Sequence, residues 1–164
     1  MFGSNITFVN FKKKIKNQTI KKKLNIIIDK KNEILRSLDK NYKNSYSKKI
    51  LNKYKKSSNF RLIGMGGSTL GAQAIYSFLN HKIKKNFYFI DNLQTHRIKL
   101  NKKKITNLVI SKSGNTIETI INANIFIKKN NQNIFITENK KNYLYSLAEK
   151  LKAEVVHHNN FIGG

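Results

Sequence analysis

Five short apolar runs recur from Phe60 onward: Leu62-Ile63, Phe87 to Ile90, Leu108 to Ile110, Ile134 to Ile136 and Val155-Val156. Each is continuous rather than alternating, the pattern of strands buried on both faces. Their starts lie roughly 20 to 26 residues apart, enough for a crossover helix between parallel neighbours. Helical stripes fill three of the gaps. Leu70, Ala74 and Phe78 repeat at four, as do Ile117, Ile121 and Ile125, and Tyr143, Leu144, Leu147 and Leu151 form a third stripe. The gap between Asn92 and Lys104 carries the weakest helical pattern. Strand alternating with helix predicts an α/β protein with a five-stranded parallel sheet.

Residues 1–58 read differently. This block is lysine-rich and has no glycine after Gly3. Leu24, Ile27, Ile28, Ile34, Leu35 and Leu38 predict an amphipathic helix, and Ile50, Leu51 and Tyr54 a shorter one. The expected organisation is a basic helical segment over 1–58 and an α/β domain over 59–164. No internal repeat and no Pro/Gly/Ser-rich linker separates them.

The formal net charge of +25 suggests a polyanionic partner. Composition supplies another origin for it. The chain has 30 Lys, 24 Asn and 23 Ile, close to half of its 164 residues, but three Arg and no Pro or Trp. An A/T-rich coding sequence produces this profile, and the scarcity of arginine argues against a nucleic-acid reader. The lysines are most simply solvated helix faces. The absence of cysteine excludes disulfides and thiolate metal sites. No apolar run approaches the ~20 residues of a membrane span and no signal-type segment follows the N-terminus, so the expectation is a cytoplasmic protein without membrane contact.

Against this bias glycine is informative. Apart from Gly3, the chain's glycines are Gly64, Gly66, Gly67 and Gly71, then Gly114, then Gly163 and Gly164. Such confinement points to special backbone geometry. The first cluster, Gly64-Met65-Gly66-Gly67-Ser68-Thr69-Leu70-Gly71, follows a strand and opens a helix. Backbone amides and the helix dipole can meet an anion there, with Ser68 as cap or hydroxyl donor. The sixth position is Thr69, so it is not the dinucleotide fingerprint, and no Gly-Lys-Ser/Thr makes it a Walker loop. The second motif, Ser111-Lys112-Ser113-Gly114-Asn115-Thr116-Ile117-Glu118-Thr119, also joins strand to helix. Its hydroxyls, ammonium and amides suit a phosphate monoester. Glu118 falls in the first helical turn, where a carboxylate favours the dipole, caps, or orients a cation. A plain strand-to-helix turn is the alternative at each loop. Ligands of parallel sheets sit at the strands' carboxyl ends, where both motifs fall.

Together these motifs resemble the sugar isomerase (SIS) domain, more narrowly the glucose-6-phosphate isomerase family. Gly64 to Gly71 match its Gly-x-Gly-Gly-Ser-x-Leu-Gly loop, and Ser111 to Thr119 its Ser-Lys-Ser/Thr-x-x-Thr-x-Glu-Thr loop. His157 to Gly164 resemble the stretch leading into its Gly-Gly-Arg-aromatic-Ser motif. The resemblance covers roughly Asn59 to Gly164 and implies a flavodoxin-like fold. It implies substrate contact by Gly67 and Ser68, and phosphate binding by Ser111, Lys112, Ser113, Gly114, Asn115 and Thr116. Ser113-Gly114-Asn115 departs from the animal-type threonines there. The activity implied is interconversion of glucose 6-phosphate and fructose 6-phosphate by a homodimer, without cofactor.

The family's arginine would follow Gly164, and its glutamate base, ring-opening histidine and late lysine come from regions further on. The 164 residues are therefore expected to represent a first lobe, truncated or split, and to be inactive alone. His81 and His96 read as surface residues, His157 and His158 as loop histidines after the last strand, and Asp91 as a cap for the following element. No carboxylate completes a metal site with the paired histidines. The competing expectations are a non-catalytic SIS binding module and, from another class, a basic nucleic-acid binder.

Overall fold

The computed structural model describes residues 17–29, 35, 37, 40–94 and 104–162. Gly3, Ile34, Leu38, His96, Gly163, Gly164 and most of the Asn92–Lys104 crossover lie outside them. The chain forms two compact units, one up to Tyr42 and one from Lys43 onward.

In the first unit, α1 spans Gln18–Asp29. Asn17 accepts from the amides of Thr19 and Ile20 through Oδ1, which closes the start of the helix. Leu24, Ile27 and Ile28 lie on it as the periodicity predicts, and all three are exposed.

The second unit holds the sheet. Helix α2 (Lys48–Tyr54) is capped by Ser47, whose hydroxyl accepts from the Ile50 amide. It buries Tyr54, and Lys53 pairs with Glu154 at 2.5 Å. The strands are β1 (Asn59–Gly64), β2 (Asn86–Ile90), β3 (Thr106–Ile110), β4 (Gln132–Glu138) and β5 (Glu154–His158). All pairs are parallel and the order is β2-β1-β3-β4-β5. The chain leaves β1 for β2 and returns past it to β3, so the order reverses between β1 and β3. In sheets of this flavodoxin-like order, ligands bind at such a reversal. All five expected strands are present.

Helices α3 (Gly67–Leu79), α4 (Ile117–Phe126) and α5 (Tyr143–Leu151) connect them. The core runs across the sheet in register. Ile63 is opposite Val109, and Val109 opposite Phe135, all fully buried. Ala123 and Phe126 of α4 and Leu144 and Ala148 of α5 complete it.

Helix phase differs from the sequence stripes. α4 turns Thr119, Asn122, Ala123 and Phe126 inward and leaves Ile117 and Ile121 exposed. On α3 the one buried residue is Thr69; Leu70, Ala74 and Phe78 all face out, Phe78 with 79% of its surface exposed. Thr69 takes the inner place, its Oγ1 donating to the Gly66 carbonyl, so its hydroxyl is satisfied within the turn that starts the helix. On α5 the stripe holds better, with Leu144 buried, Leu147 and Leu151 half-buried and Tyr143 exposed.

One charge lies inside the apolar runs. Arg61 is buried on β1, donates to Asn107 Oδ1 and the Phe126 carbonyl, and stacks 4.8 Å from the Phe126 ring centroid. Asn107 donates in turn to Asn133 at 2.7 Å. A buried guanidinium is tolerable because it is hydrogen-bonded.

Phe135→Ala is expected to cost about 3–5 kcal/mol by leaving a cavity in this core, and Phe78→Ala less than about 0.5 kcal/mol. Urea denaturation of the two variants checks the order; a larger loss for Phe78→Ala would contradict the helix phase.

Candidate sugar-phosphate site

β1 and β3 are adjacent, and their last residues, Gly64 and Ile110, are register partners. The two loops therefore emerge side by side at the carboxyl edge. After β1, Gly66 takes φ +52°, a conformation that L side chains rarely adopt. Its carbonyl accepts from the Thr69 and Leu70 amides, which starts α3 tightly. Gly67 is exposed in the first turn and Ser68 half-buried behind it. Ser68 does not act as the N-cap; Gly66 holds that position. Gly71 has open space around it, so glycine is not required there by packing.

After β3 the loop folds around its own hydroxyls. Ser111 is buried, and its Oγ lies 2.9 Å from Thr116 Oγ1 and 3.5 Å from Ser113 Oγ. It also accepts from the Gly114 amide, while Ser113 Oγ accepts from the Asn115 amide. Thr116 is the N-cap of α4 but makes no side-chain cap bond. The first-turn amides of α4 are thus left without a hydroxyl cap, beside three clustered hydroxyls. An anion is the natural partner for such an end.

The flanking charges are arranged around β4. Lys112 Nζ is 3.8 Å from Glu138 Oε1, and Lys140 Nζ 2.5 Å from Glu138 Oε2. The Lys140 ammonium holds the Glu138 carboxyl below the usual carboxylate range, against the opposing effect of burial, and Lys112 and His158 add to it. Glu118 sits half-buried in the first turn of α4, with no hydrogen bond or ion pair among the described residues.

Other candidates fall elsewhere. His157 and His158 belong to β5 itself rather than to a loop. His157 stacks on Tyr145 with centroids 6.2 Å apart, and His158 Nδ1 meets the Asn159 carbonyl at 2.9 Å. His81 is exposed. Asp91 accepts from Gln73 Nε2 at 2.8 Å, which ties β2 to α3; the following element that it is expected to cap lies outside the described residues. Among the described residues no group of three or more His, Cys, Asp or Glu could hold a metal ion.

Sequence reasoning missed the residues behind the loop. Thr137 and Glu138 both bond the Lys112 carbonyl, at 3.2 and 3.0 Å. The Tyr143 amide donates to Asn115 Oδ1 and the Leu144 amide to the Gly114 carbonyl, at 3.0 and 3.1 Å. An asparagine just before the Tyr143 stripe, at Asn142, was the available signal.

This is an α/β domain of sugar isomerase (SIS)-like fold, with its glycine-bearing and hydroxyl-bearing loops at the strand-order reversal. A solved structure of similar fold is a hypothetical protein from Thermus thermophilus, with TM-score 0.60, 22% identity, and coverage of 70% of this chain and 31% of that one. The chain is similar to glucose-6-phosphate isomerases. That of Methanocaldococcus jannaschii is 40% identical over 87 residues, which are 48% of this chain and 21% of the relative. A probable glucose-6-phosphate isomerase of Methanococcus maripaludis is 39% identical over 105 residues, 57% of this chain and 22% of the relative. The chain thus spans about a fifth of the length of these relatives. No family model matches.

A carboxylate with a lowered pKa contributes stability above the usual carboxylate range, and loses it as pH falls through the lowered value. Thermal melts should show a wild-type melting temperature that declines from about pH 5 to pH 3, and a shallower decline in Glu138→Gln. Equal slopes in the two proteins would contradict the ion-pair cluster.

Proposed function

We propose that this chain is the sugar-phosphate-binding part of a glucose-6-phosphate isomerase. The proposed domain spans residues 59–164 and follows the basic segment 1–58. The observation that carries the reading is the Ser111–Thr116 hydroxyl pair, 2.9 Å apart, beside the uncapped start of α4. Similarity to curated glucose-6-phosphate isomerases supports the choice of substrate.

In this reading the phosphate of glucose 6-phosphate or fructose 6-phosphate rests on the Ser111, Ser113 and Thr116 hydroxyls and the first-turn amides of α4, with Lys112, Gly114 and Asn115 shaping the loop around it. Lys112 adds a positive charge nearby. Gly67 and Ser68 touch the sugar from the neighbouring loop. The whole enzyme, a cytoplasmic homodimer in this reading, then opens the ring. A base removes the proton from C2, the carbonyl at C1 becomes a hydroxyl, and the resulting cis-enediol is reprotonated at C1 as C2 becomes the carbonyl. No oxidant or cofactor is needed, because one carbon is reduced as its neighbour is oxidised. The base, the ring-opening acid and the cation for the enediolate are assigned outside this chain, with Glu118 at most in a supporting role. The loops supply orientation, worth several kcal/mol of barrier when the far end of a substrate is fixed.

Calorimetry with glucose 6-phosphate tests this. Ser111→Ala with Thr116→Ala should weaken binding by about 100-fold or more, since two charge-assisted hydrogen bonds are lost. Unchanged affinity in the double variant would remove the phosphate-loop assignment.

A further inference from the structure

We propose that Asn142 is the positioning residue of the phosphate loop, acting through a hydrogen-bond relay to Lys112 and direct contact with Gly114. The inference rests on the sugar-phosphate assignment of that loop. Asn142 is buried, and its amide is fully engaged. Oδ1 accepts from the Tyr145 amide at 2.9 Å, which caps α5. Nδ2 donates to Thr137 Oγ1 at 3.1 Å and to the Lys140 carbonyl at 3.0 Å. Thr137, fully buried, donates onward to the Lys112 carbonyl. Asn142 therefore pulls on the loop's second residue through one intervening hydroxyl.

It also bears on the loop's apex. Gly114 has φ +67°, and a Cβ there would lie 1.9 Å from Asn142 Oδ1. The asparagine side chain occupies the space that glycine leaves. Its cap also fixes the start of α5, whose Tyr143 and Leu144 amides bind Asn115 and Gly114. The first-turn amides of α5 are thus committed to holding the loop, whereas those of α4 remain for an anion.

A cap alone would accept serine, threonine or aspartate equally well. Only asparagine adds two donors to the accepting oxygen. Coding bias can put asparagine anywhere, but it does not bury one with every polar atom satisfied.

The test compares Asn142→Ser, which keeps a neutral cap and loses the relay, with Ser47→Ala, which uncaps the distant α2. Glucose 6-phosphate affinity is measured by calorimetry, and amide hydrogen exchange is followed at Gly114 and Leu144. Asn142→Ser should weaken affinity about tenfold and speed exchange at both amides, while Ser47→Ala leaves both at wild-type values. Thr137→Val, near-isosteric and separate from the cap, should weaken affinity in the same direction and serves if Asn142→Ser does not fold. Wild-type affinity in either relay variant, or an equal loss in Ser47→Ala, would overturn the proposal. A wild-type protein that binds no glucose 6-phosphate would overturn the sugar-phosphate assignment, and the exchange rates would then decide the relay separately.

Discussion

The in-register parallel pairing of β1 with β3 is the constraint on which the site depends. Gly64 and Ile110 end their strands opposite each other, so two loops far apart in sequence leave the sheet at the same height. Strand order reverses there, and the helices that follow begin at the same edge. Two helix starts then lie beside each other at that edge, each turning the positive end of its dipole toward it. A slip of this pairing would carry one loop away from the other and leave two ordinary turns.

Behind that edge, the structure assigns different work to different helix ends. α3 is closed by the Gly66 carbonyl, and α5 by Asn142 with the Tyr143 and Leu144 amides of its first turn bonded to the Ser111–Thr116 loop. α4 alone of these three begins on a hydroxyl residue that does not cap it. The loop is thus rigid on its inner side, through Lys112, Gly114 and Asn115, and polar on its outer side, through Ser113 and Thr116. In the proposed reading this is preorganisation for an anion: the donors would be held before the ligand arrives, which lowers the ordering cost on binding. The large positive charge contributes less specifically, by raising the local concentration of anionic solutes.

Much of this was legible in the sequence because it rests on local chemistry. Continuous apolar runs marked all five strands, and glycine and hydroxyl clusters marked both loops against a background poor in glycine. Helix positions followed from periodicity, but helix phase did not. Ile117, Leu70 and Phe78 repeat correctly and still face outward, because the threonines Thr69 and Thr119 take the inner places. Partners from other elements were equally invisible. No motif marks Glu138 or Asn142 in the sequence, and only the β4 and α5 placements bring them to Lys112 and Gly114. Asp91 and Arg61 show the same limit, since their partners Gln73 and Asn107 come from other elements.

The most direct measurement is an amide chemical-shift titration of the protein with glucose 6-phosphate. Saturable shifts should be largest at Lys112 to Thr116 and at Gly67 and Ser68. Shifts confined instead to the lysine-lined pocket at the opposite edge of the sheet, around Lys53, Lys56 and Lys104, would mean that the anion follows charge alone and would contradict the account.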